Sequence, residues 1–236
     1  NYFSGPRPEA GAGTGRVSSY AWGRDYHRVL RRPLQRLADF IGSLEPAARC
    51  AWSIDSAPVL EKFWAARAGV GWLGKNSLLV NKEYGSWVFL GVIVTTVELE
   101  PDSPLPDQCG ECRACLEACP TGALVEPRTL DANRCISYHS VENRGNVPEE
   151  IVRHFGDWVF GCDLCQDVCP WNRRAKMTSE QEFWPREGQA NPSLVELVQI
   201  DVETFRSRFS GTTLMRAKLA GMVRNARIAE KNRPNQ

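Results

Sequence analysis

Apolar residues recur every three or four positions between residues 26 and 44, and this spacing predicts a helix. They are Val29, Leu30, Leu34, Leu37, Phe40 and Ile41. A second helix is predicted from Val59 to Ala68, because Pro58 stands where the first turn of a helix tolerates proline. Between the helices, Cys50 to Ile54 has the composition of a short strand that ends at Asp55.

Two β-rich runs follow, from Ser77 to Val80 and from Trp87 to Val97. The polar residues 81 to 85 between them end in Gly85, which accepts the positive φ that a hairpin turn needs. We therefore predict that the two runs pair as a hairpin and that the first hundred residues mix helices and strands.

Helical spacing returns at the C-terminal end of the chain. One predicted helical face is apolar and holds Met215, Leu219, Met222, Ala226 and Ala229. Thr212 and Thr213 precede this face and are candidates for the N-cap. Another face is basic and carries Arg224, Arg227 and Lys231.

Composition divides the chain into three segments. Prolines 101, 104 and 106 mark a linker, and all but one of the nine cysteines follow it. We predict an α/β module over residues 1–105, a cysteine-rich module over residues 106–175 and a short α-helical extension over residues 176–236. The sequence begins at Asn1 without an initiator methionine, so we expect the first module to be N-terminally truncated.

The formal net charge of +1 favours neither a nucleic acid nor a membrane as partner. Basic residues are nevertheless concentrated: residues 16–36 and residues 211–236 each hold six basic residues and one acidic residue. Such runs are most often solvated helix faces. The sequence has no apolar run of about 18 residues and no signal-peptide pattern. We therefore expect a cytoplasmic protein with no membrane association and with reduced thiols.

Four cysteines at x2, x2 and x3 spacing form the first chemical motif, and Pro120 follows the last of them. They are Cys109, Cys112, Cys115 and Cys119. This is the run found in bacterial ferredoxins, in which the fourth cysteine ligates the other of two [4Fe-4S] clusters. One motif therefore predicts two clusters in a ferredoxin-like module.

A second run supplies the remaining ligands. Cys162, Cys165 and Cys169 precede Pro170, and Cys135 replaces the missing first cysteine. Crossed ligation assigns Cys109, Cys112, Cys115 and Cys169 to cluster 1, and Cys119, Cys135, Cys162 and Cys165 to cluster 2. Zinc and disulfides are the alternatives, but zinc usually takes paired cysteines in two separated halves, and disulfides are rare in the cytoplasm. Cys50 is left over, and a lone cysteine with apolar neighbours is most often a small buried residue.

These motifs do not identify what receives the electrons. The sequence has no P-loop and no G-x-G-x-x-G motif, and His27, His139 and His154 are scattered. A non-catalytic electron carrier would need only the clusters. Because a large α/β module precedes them, we expect the clusters to serve an enzyme.

Longer motifs, most of them outside the cysteine runs, narrow the range of possible functions. They are Gly15-Arg16-Val17-Ser18, Tyr20-Ala21-Trp22-Gly23-Arg24-Asp25-Tyr26-His27, Asp55-Ser56-Ala57-Pro58-Val59-Leu60-Glu61, Gly69-Val70-Gly71-Trp72-Leu73-Gly74-Lys75-Asn76-Ser77, Cys135-Ile136-Ser137-Tyr138 and Gly161-Cys162-Asp163-Leu164-Cys165 with Pro170-Trp171-Asn172. Together they resemble the epoxyqueuosine reductase family over roughly residues 1 to 230. The resemblance implies reduction of epoxyqueuosine to queuosine at the wobble position of transfer RNA, with cobalamin and two [4Fe-4S] clusters as cofactors. It makes the first module a cobalamin-binding module and the helical extension the start of a HEAT-like, tRNA-binding region.

The resemblance also implies roles for single residues. Asp55 matches the family's proposed general acid, acting while electrons pass from the clusters to cobalamin; the alternative is an N-cap of the helix that follows. Burial beside the corrin would supply the raised pKa that such an acid needs. Cobalamin contacts are implied at Asp55, at Ser137, and in the loop Cys162-Asp163-Leu164-Cys165. The backbone near Leu79 and Leu90 is also implied, although both residues fit a core position equally well.

By the same resemblance, Arg144 and Asn146 lie in a loop that contacts the epoxyqueuosine-containing anticodon loop, with the target base flipped out. An external donor such as a flavodoxin or ferredoxin system would supply electrons, and we expect a monomer. A corrinoid reductive dehalogenase is the nearest enzymatic alternative. Its exported members carry a twin-arginine signal, whereas Arg31-Arg32 is internal and no apolar region follows it.

Overall fold

The computed structural model describes residues 1–233, which form short strands and helices and end in a run of helices. The helices are α1 Tyr26–Leu44, α2 Glu61–Arg67, α3 Ala114–Glu117, α4 Ile136–Val141, α5 Glu149–Val152, α6 Leu164–Asp167, α7 Leu194–Gln199, α8 Val202–Phe209 and α9 Lys218–Lys231. The strands are β1 Arg16–Val17, β2 Cys50–Ser53, β3 Trp72–Leu73, β4 Leu79–Val80, β5 Val92–Thr95, β6 Leu124–Glu126, β7 Thr129–Leu130 and β8 Trp158–Phe160.

The strands pair two by two instead of forming one wide sheet. β1 runs parallel to β8, whereas β2 pairs with β5, β3 with β4 and β6 with β7 in antiparallel fashion. The β1–β8 pair joins the N-terminal segment to the strand that leads into Cys162. It therefore fixes the first predicted module against the second.

The predicted hairpin across residues 81–85 is wrong. The turn itself forms, and Asn81 and Gly85 exchange backbone hydrogen bonds of 2.8 and 2.9 Å. The strands on its two sides take other partners, because β4 pairs with β3 and β5 pairs with β2. Beyond the turn, the Trp87 carbonyl accepts a hydrogen bond from the Tyr2 N–H (2.9 Å). Local composition identified the strands, but residues distant in sequence supply their partners.

α1 has the predicted bounds and begins after Asp25, whose carboxylate accepts a hydrogen bond from the His27 N–H (3.0 Å). α2 begins at Glu61, two residues later than predicted. Within residues 1–233, no helix is long and apolar enough to cross a membrane. The cytoplasmic location stays a prediction.

α9 buries its predicted apolar face, including Met222, Ala226 and Ala229. The N-cap prediction is wrong. A 3-10 turn over Thr213–Ala217 lies between Thr212 and the helix, which begins at Lys218. The Thr212 hydroxyl donates to a carbonyl of the preceding helix instead (2.8 Å).

The largest core draws residues from all three predicted segments. Val17 and Trp22 come from the first segment, Val159 and Phe160 from the second, and α7, α8 and α9 from the third. The core therefore runs across both predicted boundaries, at residues 105 and 175. The division of the chain into three modules stays a prediction.

A buried ion pair links the N-terminal segment to the cysteine-rich segment. The Asp163 carboxylate is fully buried and accepts a hydrogen bond from Arg7 Nη2 (2.6 Å). The hydroxyls of Ser18 and Ser19 and the Ser19 N–H also donate to it. The Arg7 guanidinium lies 4.7 Å from the centre of the Trp158 ring. Asp163 follows Cys162 directly, so this network holds the loop that carries two of the cluster thiols.

We predict that Arg7→Ala destabilises the fold by about 3–5 kcal/mol, because it leaves the Asp163 carboxylate buried without a cation. The denaturation midpoint of the anaerobically prepared protein measures this effect. Lys176→Ala is the matched control, since Lys176 pairs with Glu83 on the surface (2.7 Å) and should leave the midpoint nearly unchanged. Equal midpoints for both variants would contradict the prediction.

Candidate functional site

One group of thiols surrounds a cavity of about 440 Å³. Its lining includes Cys109, Cys112, Cys115 and Cys169, the four residues predicted for cluster 1. The Asp107 carboxylate accepts the Cys109 N–H (2.8 Å), and Lys75 Nζ donates to the carbonyls of Gly110 and Cys112 (2.6 and 2.9 Å). These contacts hold the turn before α3 in the shape that directs its thiols into the cavity.

A second group of thiols lines a neighbouring cavity of about 320 Å³. It includes Cys119, Cys135, Cys162 and Cys165, the four residues predicted for cluster 2. Burial opposes the ionisation of Cys119, but hydrogen bonds from Thr121 and from backbone N–H groups outweigh it and lower the pKa of this thiol. The structure thus brings together the same two sets of cysteines that crossed ligation predicts.

The pKa shifts of the thiols follow the same grouping. Burial raises the pKa of Cys115, and nearby Cys169 raises it further. Burial also raises the pKa of Cys165, with further contributions from Cys162 in its own group and from Cys115 in the other. Within a group, each thiolate therefore disfavours the next, and the two groups lie close together. Iron in the cavities would offset this repulsion, because metal binding stabilises the deprotonated thiol.

All nine cysteines have free thiols. Among residues 1–233, no three His, Cys, Asp or Glu side chains stand close enough together to hold a single metal ion. The thiols surround cavities instead of converging on one point.

Asp55 follows β2 at a backbone φ of +51°, which non-glycine residues seldom adopt and which Asp tolerates better than most. Its carboxylate accepts a hydrogen bond from the Tyr26 hydroxyl (2.7 Å), and its N–H donates to the Glu61 carboxylate (2.9 Å). The N-cap alternative is wrong, because Leu60 occupies the N-cap of α2. The exposed Asp55 side chain is therefore held by Tyr26 and plays no part in starting a helix.

Asp55 and Ser137 line a cleft of about 710 Å³. Tyr20 and Ser137 line both this cleft and the second cysteine cavity, so the two spaces share a wall. Burial raises the pKa of Tyr26, and its hydrogen bond to Asp55 raises it further. Tyr26 therefore remains a neutral hydroxyl donor toward Asp55.

The other predicted cofactor contacts lie elsewhere. Leu79 is buried in the core, Leu90 is half-buried, and neither lines the cleft or the two cavities. Asp163 is fully buried beneath Arg7, which contradicts a cofactor contact through its side chain. Leu164 lines the second cavity together with the cysteines on either side of it.

Arg144 and Asn146 lie in the exposed loop after α4. The Arg144 guanidinium donates to the carbonyls of Val141 and Arg216 (both 2.7 Å). Arg144 therefore fastens the loop to the turn before α9. Asn146 is exposed, and its carbonyl accepts a hydrogen bond from the Asn143 side chain (3.0 Å).

Sequence reasoning missed Tyr26 and Tyr20 as site residues. Tyr26 is 29 positions from Asp55 along the chain, so no local pattern marks their contact. The motif Tyr20-Ala21-Trp22-Gly23-Arg24-Asp25-Tyr26-His27 was the one available signal, because it places both tyrosines in a segment shared with the family.

Comparison with known proteins identifies the family. A model for a 4Fe-4S double cluster binding domain matches residues 108–172, and a model for epoxyqueuosine reductase QueG, DUF1730, matches residues 1–56. An epoxyqueuosine reductase from Synechocystis is 46% identical over 228 residues, which cover 96% of this chain and 79% of the relative. The chain belongs to the epoxyqueuosine reductase family. The Escherichia coli epoxyqueuosine reductase is 43% identical, covering 93% of this chain and 58% of the relative.

Solved epoxyqueuosine reductases share the fold. A structure with an epoxyqueuosine-modified tRNA-Tyr stem loop has a TM-score of 0.91 at 35% identity, and one from Bacillus subtilis has a TM-score of 0.91 at 34% identity. They cover 97% and 98% of this chain, respectively, whereas this chain covers 61% and 62% of theirs. The chain therefore spans about three-fifths of the length of these epoxyqueuosine reductases.

The predicted family and enzyme class are confirmed, since the relatives are oxidoreductases named epoxyqueuosine reductase. The double-cluster model over residues 108–172 also supports the predicted iron–sulfur clusters. No comparison tests the individual ligands, cobalamin or Asp55, so those assignments stay predictions.

We predict that Cys169→Ala and Cys112→Ala each halve the iron content, from about eight to about four atoms per chain, because each removes a ligand of cluster 1. The variant in which both Cys112 and Cys169 are replaced should keep about four iron atoms per chain. Cys169→Ala combined with Cys135→Ala should lose both clusters. Iron and acid-labile sulfide assays measure this pattern. Cys50→Ala is the control and should retain about eight; loss of all iron when Cys112 and Cys169 are both replaced would contradict the grouping.

Proposed function

We propose that this chain reduces epoxyqueuosine to queuosine in transfer RNA. The observation that carries the proposal is the wall of Tyr20 and Ser137 shared by the Asp55 cleft and the second cysteine cavity. It puts Asp55 and the second thiol group on either side of one wall, where an acid and an electron-transfer centre would act next to each other. Reductive removal of an epoxide oxygen needs both, because it consumes two electrons and two protons and leaves an alkene and water. A related structure that contains an epoxyqueuosine-modified stem loop supports the choice of substrate.

The cysteine groups fit two [4Fe-4S] clusters. Each cavity is lined by four free thiols, and the spacing is that of ferredoxin ligands. Cluster 1 would be held by Cys109, Cys112, Cys115 and Cys169, and cluster 2 by Cys119, Cys135, Cys162 and Cys165. The clusters would supply the electrons, drawn from an external flavodoxin or ferredoxin system.

The cleft would receive part of a large cofactor such as cobalamin. It is about 710 Å³ in volume and open, and its wall adjoins the second cysteine cavity. Asp55 and Ser137 would contact the cofactor from the cleft, and the Cys162–Cys165 loop from the cavity side. Bound cobalamin would supply the reactive low-valent cobalt.

Asp55 would act as the general acid. Its carboxyl would protonate the oxygen released as the epoxide opens, and Tyr26 would hold it in place through the 2.7 Å hydrogen bond. Asp55 is exposed in the free protein. Cofactor and substrate would enclose it when they bind.

Transfer RNA would bind across the mouth of the cleft. Arg144 and Asn146 lie in the exposed loop beside the turn that carries Arg216, and base flipping would bring the modified nucleotide inside. The helices α7 to α9 would form the start of a HEAT-like surface whose basic side chains attract phosphates.

We propose a cytoplasmic monomer with an N-terminal cobalamin-binding module over residues 1–105.

The proposal is tested with protein reconstituted anaerobically with iron, sulfide and cobalamin. We expect about eight iron atoms and about one cobalt per chain, and conversion of an epoxyqueuosine-containing stem loop to the queuosine form, seen by mass spectrometry as loss of one oxygen atom. Iron without cobalt, together with an unchanged stem loop, would favour an electron carrier.

Asp55→Asn should abolish turnover and keep the cluster and cobalamin spectra, because asparagine retains the shape but cannot donate the acidic proton. Rates of stem-loop conversion measure the effect. Asp39→Asn on the exposed face of α1 is the control and should turn over normally. Full activity of Asp55→Asn would rule out the general-acid role.

Tyr26→Phe should lower kcat by about tenfold or more, since a hydrogen bond to the carboxylate that forms as Asp55 gives up its proton contributes about 1.5–3 kcal/mol. Cofactor content should stay unchanged. Tyr84→Phe is the matched control, because Tyr84 lies in the turn at residues 81–85, outside the cleft lining. An unchanged kcat for Tyr26→Phe would show that Asp55 does not depend on this contact.

A further inference from the structure

Asn76 lies between the two groups of thiols and lines both of their cavities. It sits in the tight turn that joins β3 to β4 and is only 5% exposed. The Gly74 N–H donates to the Leu78 carbonyl (2.8 Å), and the Ser77 N–H donates to the Gly74 carbonyl (2.9 Å). Lys75 ties the same turn to the first cysteine group. Asn76 is therefore held in one position between the cavities.

The orientation of the Asn76 amide is fixed by its oxygen. Oδ1 accepts the Leu78 N–H (3.3 Å). A Cβ at Gly74 would lie 2.7 Å from this oxygen, so the absence of a side chain there leaves room for the amide. With Oδ1 used inside the turn, the Nδ2 end remains for another partner.

Nδ2 of Asn76 is buried and has no acceptor among residues 1–233. A buried donor without an acceptor is destabilising. Native proteins rarely carry that cost without a reason, which is often a bound water, ion or ligand. Each cavity beside Asn76 holds four cysteine sulfurs, and a cluster would add sulfide to them. Sulfur is therefore the acceptor that cluster binding would bring to this donor.

We propose that Asn76 Nδ2 donates a hydrogen bond to a sulfur atom of the iron–sulfur clusters and thereby raises a cluster reduction potential. Reduction adds negative charge to a cluster, so an N–H group that donates to its sulfur stabilises the reduced form more than the oxidised form. The inference rests on the two-cluster part of the proposed function and is independent of cobalamin and transfer RNA.

The test is Asn76→Leu, which keeps the size of the side chain and removes both N–H donors. Protein reconstituted with iron and sulfide alone is titrated with reductant while the electron paramagnetic resonance of the reduced clusters is followed. At least one midpoint potential should become more negative. The expected loss is about tenfold in the ratio of reduced to oxidised cluster at a given potential, or about 59 mV for a one-electron couple.

Ser77→Ala is the matched control. Ser77 lies in the same turn but lines neither cavity, so its removal should leave both potentials unchanged. Asn76→Ala replaces Asn76→Leu if the larger apolar side chain impairs cluster assembly. Unchanged potentials in a cluster-loaded Asn76 variant would overturn the proposal.

A second measurement needs no variant. In wild-type protein with ¹⁵N in its asparagine side chains, electron–nuclear double resonance should detect a ¹⁵N coupling to a reduced cluster. Absence of that coupling would overturn the proposal. A protein that holds both clusters but leaves epoxyqueuosine unreduced would contradict the proposed function without affecting either measurement.

Discussion

The placement of the second cysteine group depends on one buried charge. Asp163 follows Cys162 and precedes the helix that carries Cys165, and its carboxylate is fully buried. Such a charge is tolerated only when cations and hydrogen-bond donors surround it. Arg7, Ser18 and Ser19 meet that requirement from the other end of the chain. The N-terminal segment therefore takes part in shaping a cofactor site to which it contributes no ligand.

The same segment carries the wall between the second cysteine cavity and the Asp55 cleft. Tyr20 comes directly after the serines that hold Asp163, and it separates the second cysteine cavity from the Asp55 cleft together with Ser137. Ser137 in turn lies two residues after Cys135. Both sides of the wall are thus attached to residues that shape the second cavity, so the distance between the second thiol group and Asp55 is set by the same contacts that position these thiols.

The sequence predicted those features whose cause is local. Cysteine spacing gave the two thiol groups, because ligand spacing reflects the size of the cluster, and apolar spacing gave the bounds of α1. Contacts between residues distant in the sequence could not be predicted in this way. Arg7 and Asp163 are 156 positions apart, and the partners of β4 and β5 come from other segments. The resemblance to a family indicated that Asp55 is functional. The structure was needed to show that Asp55 is not an N-cap and that Tyr26 is its hydrogen-bond partner.

The core that crosses all three segments has a consequence for synthesis. β8 leads into Cys162, yet it packs on α9, whose buried residues extend to Ala229. All nine cysteines leave the ribosome before α9 does, because translation proceeds from the N-terminus. The second thiol group therefore emerges as a set of reduced, unsupported side chains, and its scaffold closes only after α9 has been made. Assembly of that cluster site must therefore wait for α9, and until then the thiols are open to oxygen.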